Sequence, residues 1–333
     1  MKHLRQWVVG LAIAIATIMS VIGVQIHAPA QVSDKLSLDV AGLTVEEVTD
    51  GVYAFLASTD FPPANFATTA ICNATVVIGS DGALVIDPFH NEDLTELLFE
   101  EVAALTDQPI RYVVNTHYHF DHSGGNAAVA AAGYPLLGRG PIREFMLAYN
   151  LEQDPNATPP DVIVNGSGEV WLGDRSVQFA EFDGHSGGTD LIAYVPDVDV
   201  LIAGDLAFTQ RVPYVGDGNI RVWQATLEKL AAAYSTATIV PGHGRISDRA
   251  DLDRLKGYLT YLENLALGWQ ADGVSQAEAI AQTTIAEEYA DYLFQGLFTN
   301  GLEAAYQQIT LGQDDATAIQ SYFATQPPEL QAL

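Results

Sequence analysis

The segment Thr-His-Tyr-His-Phe-Asp-His-Ser-Gly-Gly at residues 116–125 constrains the fold of this chain more than any other feature. It follows a β-branched run at 110–114 that predicts a strand. Within six positions it presents four side chains that can bind metal, His117, His119, Asp121 and His122. Side chains two residues apart in extended backbone project to the same side, so the first two histidines can reach one ion. The other two follow as the chain turns, which predicts a metal-binding loop with a second ligand position nearby.

Three later residues extend this ligand set. His185 lies in Asp-Gly-His-Ser-Gly-Gly, and His243 lies in Val-Pro-Gly-His-Gly, each just after a strand-like run. Asp205 ends the apolar run Val-Leu-Ile-Ala-Gly-Asp. A glycine beside a ligand lets backbone approach an ion closely. Each of these three residues alone would be a weak signal of metal binding. Together with the histidine loop they supply enough donors for two ions, since zinc takes about four ligands.

Strand-like and helix-like patterns form two loosely similar halves. Each half has several strands before its helices, with a helical pattern continuing from Asp248 onward. The predicted strands are 43–48, 52–56, 74–78, 83–86, 110–114, 177–182, 191–195, 200–202 and 238–240. The predicted helices are 91–106, 126–132 and 221–234. This order predicts an α/β (α+β) protein with two packed sheets covered by helices, although periodicity also permits a doubly wound fold.

The N-terminus has the pattern of a secretory signal peptide. Lys2 and Arg5 precede an apolar run at 7–24, and the small-x-small site 28–30 follows. We therefore expect residues 1–30 to be removed after Ala30, and the mature protein to be periplasmic or extracellular, without stable membrane association. The alternative is an uncleaved N-terminal membrane anchor.

Charge and cysteine content narrow the possible partners. The formal net charge is −28, and residues beyond 30 carry 12 basic and 42 acidic side chains. Such a surface repels phosphate backbones, which argues against nucleic acid and favours a small-molecule substrate. Cys72 is the only cysteine, so an intramolecular disulfide is impossible. It is expected to be a buried free thiol, with a thiolate metal ligand as the alternative.

The ordered set of metal-competent residues resembles the metallo-β-lactamase superfamily over roughly residues 43–245. The resemblance implies an αββα sandwich of two mixed sheets flanked by helices. It assigns His117, His119 and His185 to one zinc and Asp121, His122 and His243 to a second, with Asp205 bridging them. Asp87, at the end of Leu-Val-Ile-Asp, would orient the histidine loop by hydrogen bonds rather than bind metal. Its alternative role is an N-cap or turn acid.

The same resemblance implies hydrolysis. Two zinc ions would lower the pKa of a bridging water, and the resulting hydroxide would attack the carbonyl of a β-lactam, lactone, ester or thioester. Asp121 would orient that water or transfer its proton. The β-lactamase branch with a cysteine ligand is excluded because Cys72 comes too early, whereas glyoxalase II-like and lactonase-like branches remain. Residues 204–218 resemble exported hydrolases associated with sulfur-oxidation or quinoprotein systems. An iron-dependent redox enzyme, such as a sulfur dioxygenase, and a non-catalytic metal-binding protein are the alternatives.

Substrate contacts are predicted from two segments. Phe61 and Phe66 lie where this family places a loop over the site, and they suggest an apolar wall. Arg211 follows the bridging aspartate by six residues and could hold a substrate carboxylate. The alternative is that Arg211 forms an ion pair with a local acid such as Asp217. The predicted organisation is a sandwich domain at 31–250 and a helical extension at 251–333 packed on it.

Overall fold

Two β-sheets share one apolar layer in the computed structural model, which describes residues 35–151 and 154–313. The predicted signal peptide at 1–30 lies outside the described residues, as does the chain after residue 313. None of the helices in the described part combines the length and hydropathy needed to cross a bilayer.

The first sheet follows chain order in the described residues. Strands β1 to β4 pair antiparallel, and β4 to β7 pair in parallel. Its seven strands are β1 Leu43–Thr49, β2 Val52–Ala57, β3 Ala74–Gly79, β4 Gly82–Ile86, β5 Ile110–Val114, β6 Leu136–Arg139 and β7 Val162–Val164.

The second sheet has the order β12-β11-β10-β9-β8 in the described part of the chain. Strands β8 to β11 pair antiparallel, and β12 pairs in parallel with β11. Its strands are β8 Ser167–Trp171, β9 Ser176–Glu181, β10 Leu191–Val195, β11 Val200–Phe208 and β12 Thr238–His243.

Alternate side chains of each strand point to opposite faces of its sheet, and this builds the layers of the protein. In β4, Leu84 and Ile86 face the second sheet, in one buried cluster with Ile202 and Val240. The intervening Val85 belongs to another cluster, which includes residues of the helix Glu92–Leu105. Because successive side chains point to opposite faces, each sheet buries one face against its partner and the other against helices.

Helices cover both outer faces. Glu92–Leu105 packs on the first sheet, and Asn91 caps it by accepting a hydrogen bond from Leu94 N. Ile220–Ala233 and Arg249–Asp272 share the cluster of the second sheet. The remaining helices described are Leu38–Ala41, Phe120–Ser123, Asn126–Ala131, Ile142–Phe145, Gln276–Gln282 and Phe298–Ala305, with 3₁₀ turns at Glu287–Tyr289 and Gln295–Leu297 and π turns at Met146–Asn150 and Tyr306–Thr310.

This layering is the predicted fold of two mixed sheets flanked by helices, and the doubly wound alternative is wrong. Three strands were absent from the sequence prediction, namely β6, β7 and β8. They are short, and Gly138 and Gly168 interrupt the apolar pattern of two of them. Prediction also ended β11 at residue 202, whereas pairing continues to Phe208. The strand therefore carries Asp205 within it.

Candidate metal centre

The histidine loop, residues 116–123, leaves the carboxyl end of β5 and is fixed by backbone contacts. Thr116 accepts a hydrogen bond through its carbonyl from Leu191 N at 2.7 Å, which joins the loop to the second sheet. The Asn115 side chain donates to the His122 carbonyl at 3.0 Å. Ser123 donates through its hydroxyl to the His119 carbonyl at 2.9 Å. The loop is therefore held between the two sheets.

The later ligands reach the same place from the second sheet. Asp205 lies within β11 and His243 ends the neighbouring strand β12. His185 lies in the connection between β9 and β10. A Cβ at Gly242 would collide with the Asp205 carboxylate, so a glycine is required beside this ligand.

The structure brings together all seven residues that the sequence predicted as metal ligands. They form two groups in which the possible ligand atoms lie within 4.8 Å of one another. All but His119, which is half-buried, are buried. One group is His117, His119, His185 and Asp205, and the other is Asp121, His122 and His243.

Asp205 lies between the two groups. Its Oδ2 is 3.5 Å from His185 Nε2 and 3.3 Å from His243 Nε2. Its Oδ1 is 3.1 Å from His122 Nε2. The carboxylate therefore faces histidines of both groups, which is the position that a bridging ligand needs.

The donor chemistry fits divalent metal ions. The Nε2 atoms of His117 and His185 and the Oδ1 atom of Asp205 are buried without a hydrogen-bond partner. Leaving such atoms unpaired is costly, and a metal ion would satisfy all three. Imidazole nitrogens with a few carboxylate oxygens are the ligands that suit zinc.

Asp87 supports the histidine loop through three contacts. Its Oδ1 accepts a hydrogen bond from Thr116 N, and its Oδ2 accepts one from the Thr116 hydroxyl, both at 2.8 Å. The same Oδ2 lies 2.9 Å from His122 Nδ1. With Nδ1 held there, Nε2 of His122 is directed to the metal-ligand groups. Asp87 thus occupies the orienting position that was predicted for it, outside both ligand groups.

Asp217 is a site residue whose role the sequence analysis missed. Its Oδ2 accepts a hydrogen bond from the Tyr118 hydroxyl at 2.5 Å and lies 3.0 Å from His119 Nε2. Its position in the loop after Asp205, between two glycines, was the available signal. Asp217 lies outside both ligand groups and positions the ring of His119, as Asp87 positions the ring of His122.

Charge coupling shifts several pKa values. Burial lowers the pKa of His117 well below its usual range, and the neighbouring His122 adds to this effect. Burial would also lower the pKa of His243, but the carboxylates of Asp205 and Asp121 raise it to about 9. The pKa values shift in opposite directions because the buried histidines share only a few carboxylates. Such opposite pKa shifts within one buried cluster are typical of a functional site.

A cavity of about 420 Å³ opens beside the ligand groups. We call it the aromatic cavity because seven of its lining residues are aromatic. They are Phe61, Tyr118, Phe120, Tyr149, Phe208, Tyr214 and Phe294. Phe61 therefore lies where the sequence placed an apolar wall. Phe66 is absent from the lining and packs on Phe61, with the ring centroids 6.1 Å apart.

Arg211 also lies outside the cavity lining. Its Nη2 donates to the Ala57 carbonyl at 2.9 Å, and its guanidinium lies 5.4 Å from the ring centre of Phe294. The side chain is buried, which lowers its pKa. This placement disagrees with the predicted substrate-carboxylate contact. Asp217, named as an example of a local acid that could pair with Arg211, bonds Tyr118 and His119 instead, and the acid whose charge acts on Arg211 is Asp60.

Cys72 lies next to the site without joining either ligand group. Its buried thiol donates to the Asp121 carbonyl at 2.9 Å. Burial raises the pKa of this thiol to about 12. The side chain therefore remains a neutral thiol in the protein interior, as the sequence analysis expected.

Known proteins are similar to this chain in sequence. The model of the metallo-beta-lactamase superfamily matches residues 67–243. The metallo-beta-lactamase type 2 of Bacteroides fragilis is 23% identical over 221 residues, covering 65% of this chain and 83% of that protein. The hydroxyacylglutathione hydrolase of Anaeromyxobacter dehalogenans is 34% identical over 144 residues, covering 43% of this chain and 46% of that protein.

Solved structures show the same fold. A metallo-beta-lactamase from Pontibacter korlensis superposes with a TM-score of 0.56 at 22% sequence identity. The match covers 66% of this chain and 99% of the other.

Proposed function

This chain is a metal-dependent hydrolase of the metallo-beta-lactamase superfamily, and we propose that it uses two zinc ions to cleave a carbonyl-type bond in a small molecule. The position of Asp205 carries this proposal. One buried carboxylate faces histidines of two adjacent ligand groups, and a carboxylate in that position can bind two neighbouring ions at once.

The two ligand groups divide the metal binding. His117, His119 and His185 would hold one ion, and Asp121, His122 and His243 would hold the other, with Asp205 shared. Bound zinc would supply a nucleophile from water at neutral pH and polarise the scissile carbonyl. The protein contributes a buried, preorganised frame in which Asp87 and Asp217 fix the orientation of His122 and His119.

The position of Asp121 supports a role in proton transfer. Its Oδ2 lies 3.3 Å from His243 Nε2, and the side chain also lines the aromatic cavity. It therefore connects the ligand groups with the space where a substrate would lie. We assign to Asp121 the orientation of the attacking water and the transfer of its proton to the leaving group.

Two ligand variants and a matched histidine variant test the two-zinc centre. Purified protein should contain about two zinc ions per chain, measured by mass spectrometry of the metals. His119→Ala and His243→Ala should each lose metal and ester hydrolysis, because each removes a ligand. His90→Ala is the control, since His90 bonds the Phe66 carbonyl and lies outside both ligand groups.

Full metal content and full turnover in both ligand variants would refute the assignment. Iron instead of zinc, in protein from cells supplied with both metals, would favour the redox alternative. Loss of metal in the ligand variants alone, with the His90 variant intact, supports the proposed centre.

We also propose that the protein is exported and cleaved after Ala30. The basic residues, apolar run and small-x-small site at the N-terminus support this. N-terminal sequencing of the protein from its native host should begin at Gln31. A chain that still begins at Met1 in the membrane fraction would instead indicate an anchor.

A further inference from the structure

The aromatic cavity offers apolar surface next to the metal ligands. Phe61, Phe120, Tyr149 and Phe294 supply rings to its lining, and Ile71 and Leu297 add aliphatic surface. Its volume of about 420 Å³ is in the range of small-molecule sites. An aromatic or alkyl group would bury well in such a space, since each apolar contact removes surface from water.

Apart from the histidines, the charged side chains that line the aromatic cavity are all negative. No lysine or arginine belongs to its lining, as far as the described residues show. Three carboxylates do, those of Asp121, Asp205 and Asp217. The guanidinium of Arg211 contacts the Ala57 carbonyl and the Phe294 ring instead. A substrate carboxylate would find no side-chain partner of the kind that usually pairs with it.

Bound metal would leave little positive charge for an anion. Two zinc ions would bring four positive charges, of which the three carboxylates offset three, so one positive charge would remain, at the metal-ligand groups rather than along the rest of the cavity. Asp217 is the decisive one, because it adds negative charge at the cavity without belonging to either ligand group. The net charge of −28 also repels anions at long range. An anionic group on the substrate is therefore repelled at long range and meets no lysine or arginine among the described lining residues.

We propose that the aromatic cavity selects uncharged esters and lactones with an apolar acyl arm and rejects substrates that carry a carboxylate on that arm. This inference rests on the proposed carbonyl hydrolysis and specifies its substrate class. It separates this protein from enzymes for β-lactams and glutathione thioesters, which are anionic substrates. Asp217, which adds negative charge to the lining without belonging to a ligand group, is the residue to which we assign this selectivity.

Two matched pairs of probes test the substrate class. The first pair is 4-nitrophenyl hexanoate and the mono-4-nitrophenyl ester of adipic acid, which differ by a terminal carboxylate. Their kcat/KM values are compared with the zinc-loaded protein, and the neutral ester should be favoured at least about tenfold. The second pair is the corresponding 4-nitroanilides, which resist hydrolysis. Calorimetric titration of these anilides into metal-free protein measures binding without turnover, with the same preference expected.

A cation introduced into the lining should change the preference. Leu297→Lys places an ammonium group at a half-buried lining position and should improve kcat/KM for the adipate ester relative to the neutral ester by roughly tenfold. Leu297→Gln is the matched control, since it removes the apolar side chain without adding charge. It should leave the ratio of the two esters nearly unchanged.

The outcomes separate the two proposals. Equal or better turnover and binding of the adipate probes would overturn the substrate class while leaving carbonyl hydrolysis in place. Preferential binding of the neutral anilide without hydrolysis of either ester would refute the proposed function but support the substrate class. Absence of binding by both anilides would overturn the inference, whatever the ester kinetics.

Discussion

Asp87 adopts a backbone conformation that few residues tolerate. Its φ is 59°, in the left-handed region, where aspartate and asparagine are the most common residues after glycine. This conformation follows strand β4 directly and directs the carboxylate to Thr116 N and to His122 Nδ1. The turn therefore links the end of one strand to the histidine loop of the next.

The first residue-scale prediction concerns this carboxylate. Asp87→Asn keeps a side chain that accepts the left-handed conformation but removes the charge and one acceptor oxygen. The affinity for zinc should fall about tenfold to a hundredfold, because His122 loses the partner that fixes its ring. Competition with a chromophoric chelator would measure this affinity.

A second buried carboxylate provides the matched control. Asp251 bonds Arg245 and Arg254 away from the site. Asp251→Asn should lower thermal stability and leave zinc affinity unchanged. Equal zinc affinity in the wild type and the Asp87 variant would contradict the orienting role.

Arg211 shows what residue-level reasoning cannot recover. Its sequence distance from Asp205 suggested a loop over the metals, and an exposed guanidinium would suit an anion. The actual environment comes from Ala57 and Phe294, which are remote in sequence. No local pattern encodes such contacts. The same reason explains why Asp217 was considered only as a partner of Arg211, although it bonds Tyr118 and His119.

At the scale of elements, strand ends made the metal ligands predictable. The β5 run leads directly into the histidine loop, and His243 ends β12. Parallel pairing of β11 and β12 then brings Asp205 and His243 together. These two residues could be identified from sequence because His243 ends a strand-like run, Asp205 ends an apolar run, and each has a glycine beside it. The division of the strands into two sheets was predicted from the order of strands and helices along the chain.

The wall of the cavity could not be predicted in the same way. Phe294 and Leu297 belong to a 3₁₀ turn and its N-cap within the helical region after residue 250. Phe294 N donates to the Asp60 side chain at 2.6 Å, across more than two hundred residues of chain. Leu293 N donates to the Gln210 carbonyl at 3.1 Å. Periodicity indicated helices here, but it contains no information on which turn contacts the site.

The whole molecule joins a large apolar core to an acidic exterior. Buried clusters fill the layer between the sheets and both outer layers in the described residues. The metal-ligand groups occupy the edge where the two sheets meet, so their ligands come from both. Binding of ions should therefore connect the two sheets and stabilise the fold as a unit.

The last prediction is that zinc raises the unfolding temperature of metal-free protein. At zinc a hundredfold above Kd, two independent sites would add about 5 kcal/mol to the free energy of unfolding. For a chain of this size that corresponds to a shift on the order of 10 °C. Magnesium should cause little change, because it prefers oxygen ligands and near-octahedral geometry, whereas five of the seven ligands here are histidines. Differential scanning calorimetry of metal-free protein with each ion would measure both shifts, and equal shifts for zinc and magnesium would mean that the ions act outside the histidine groups.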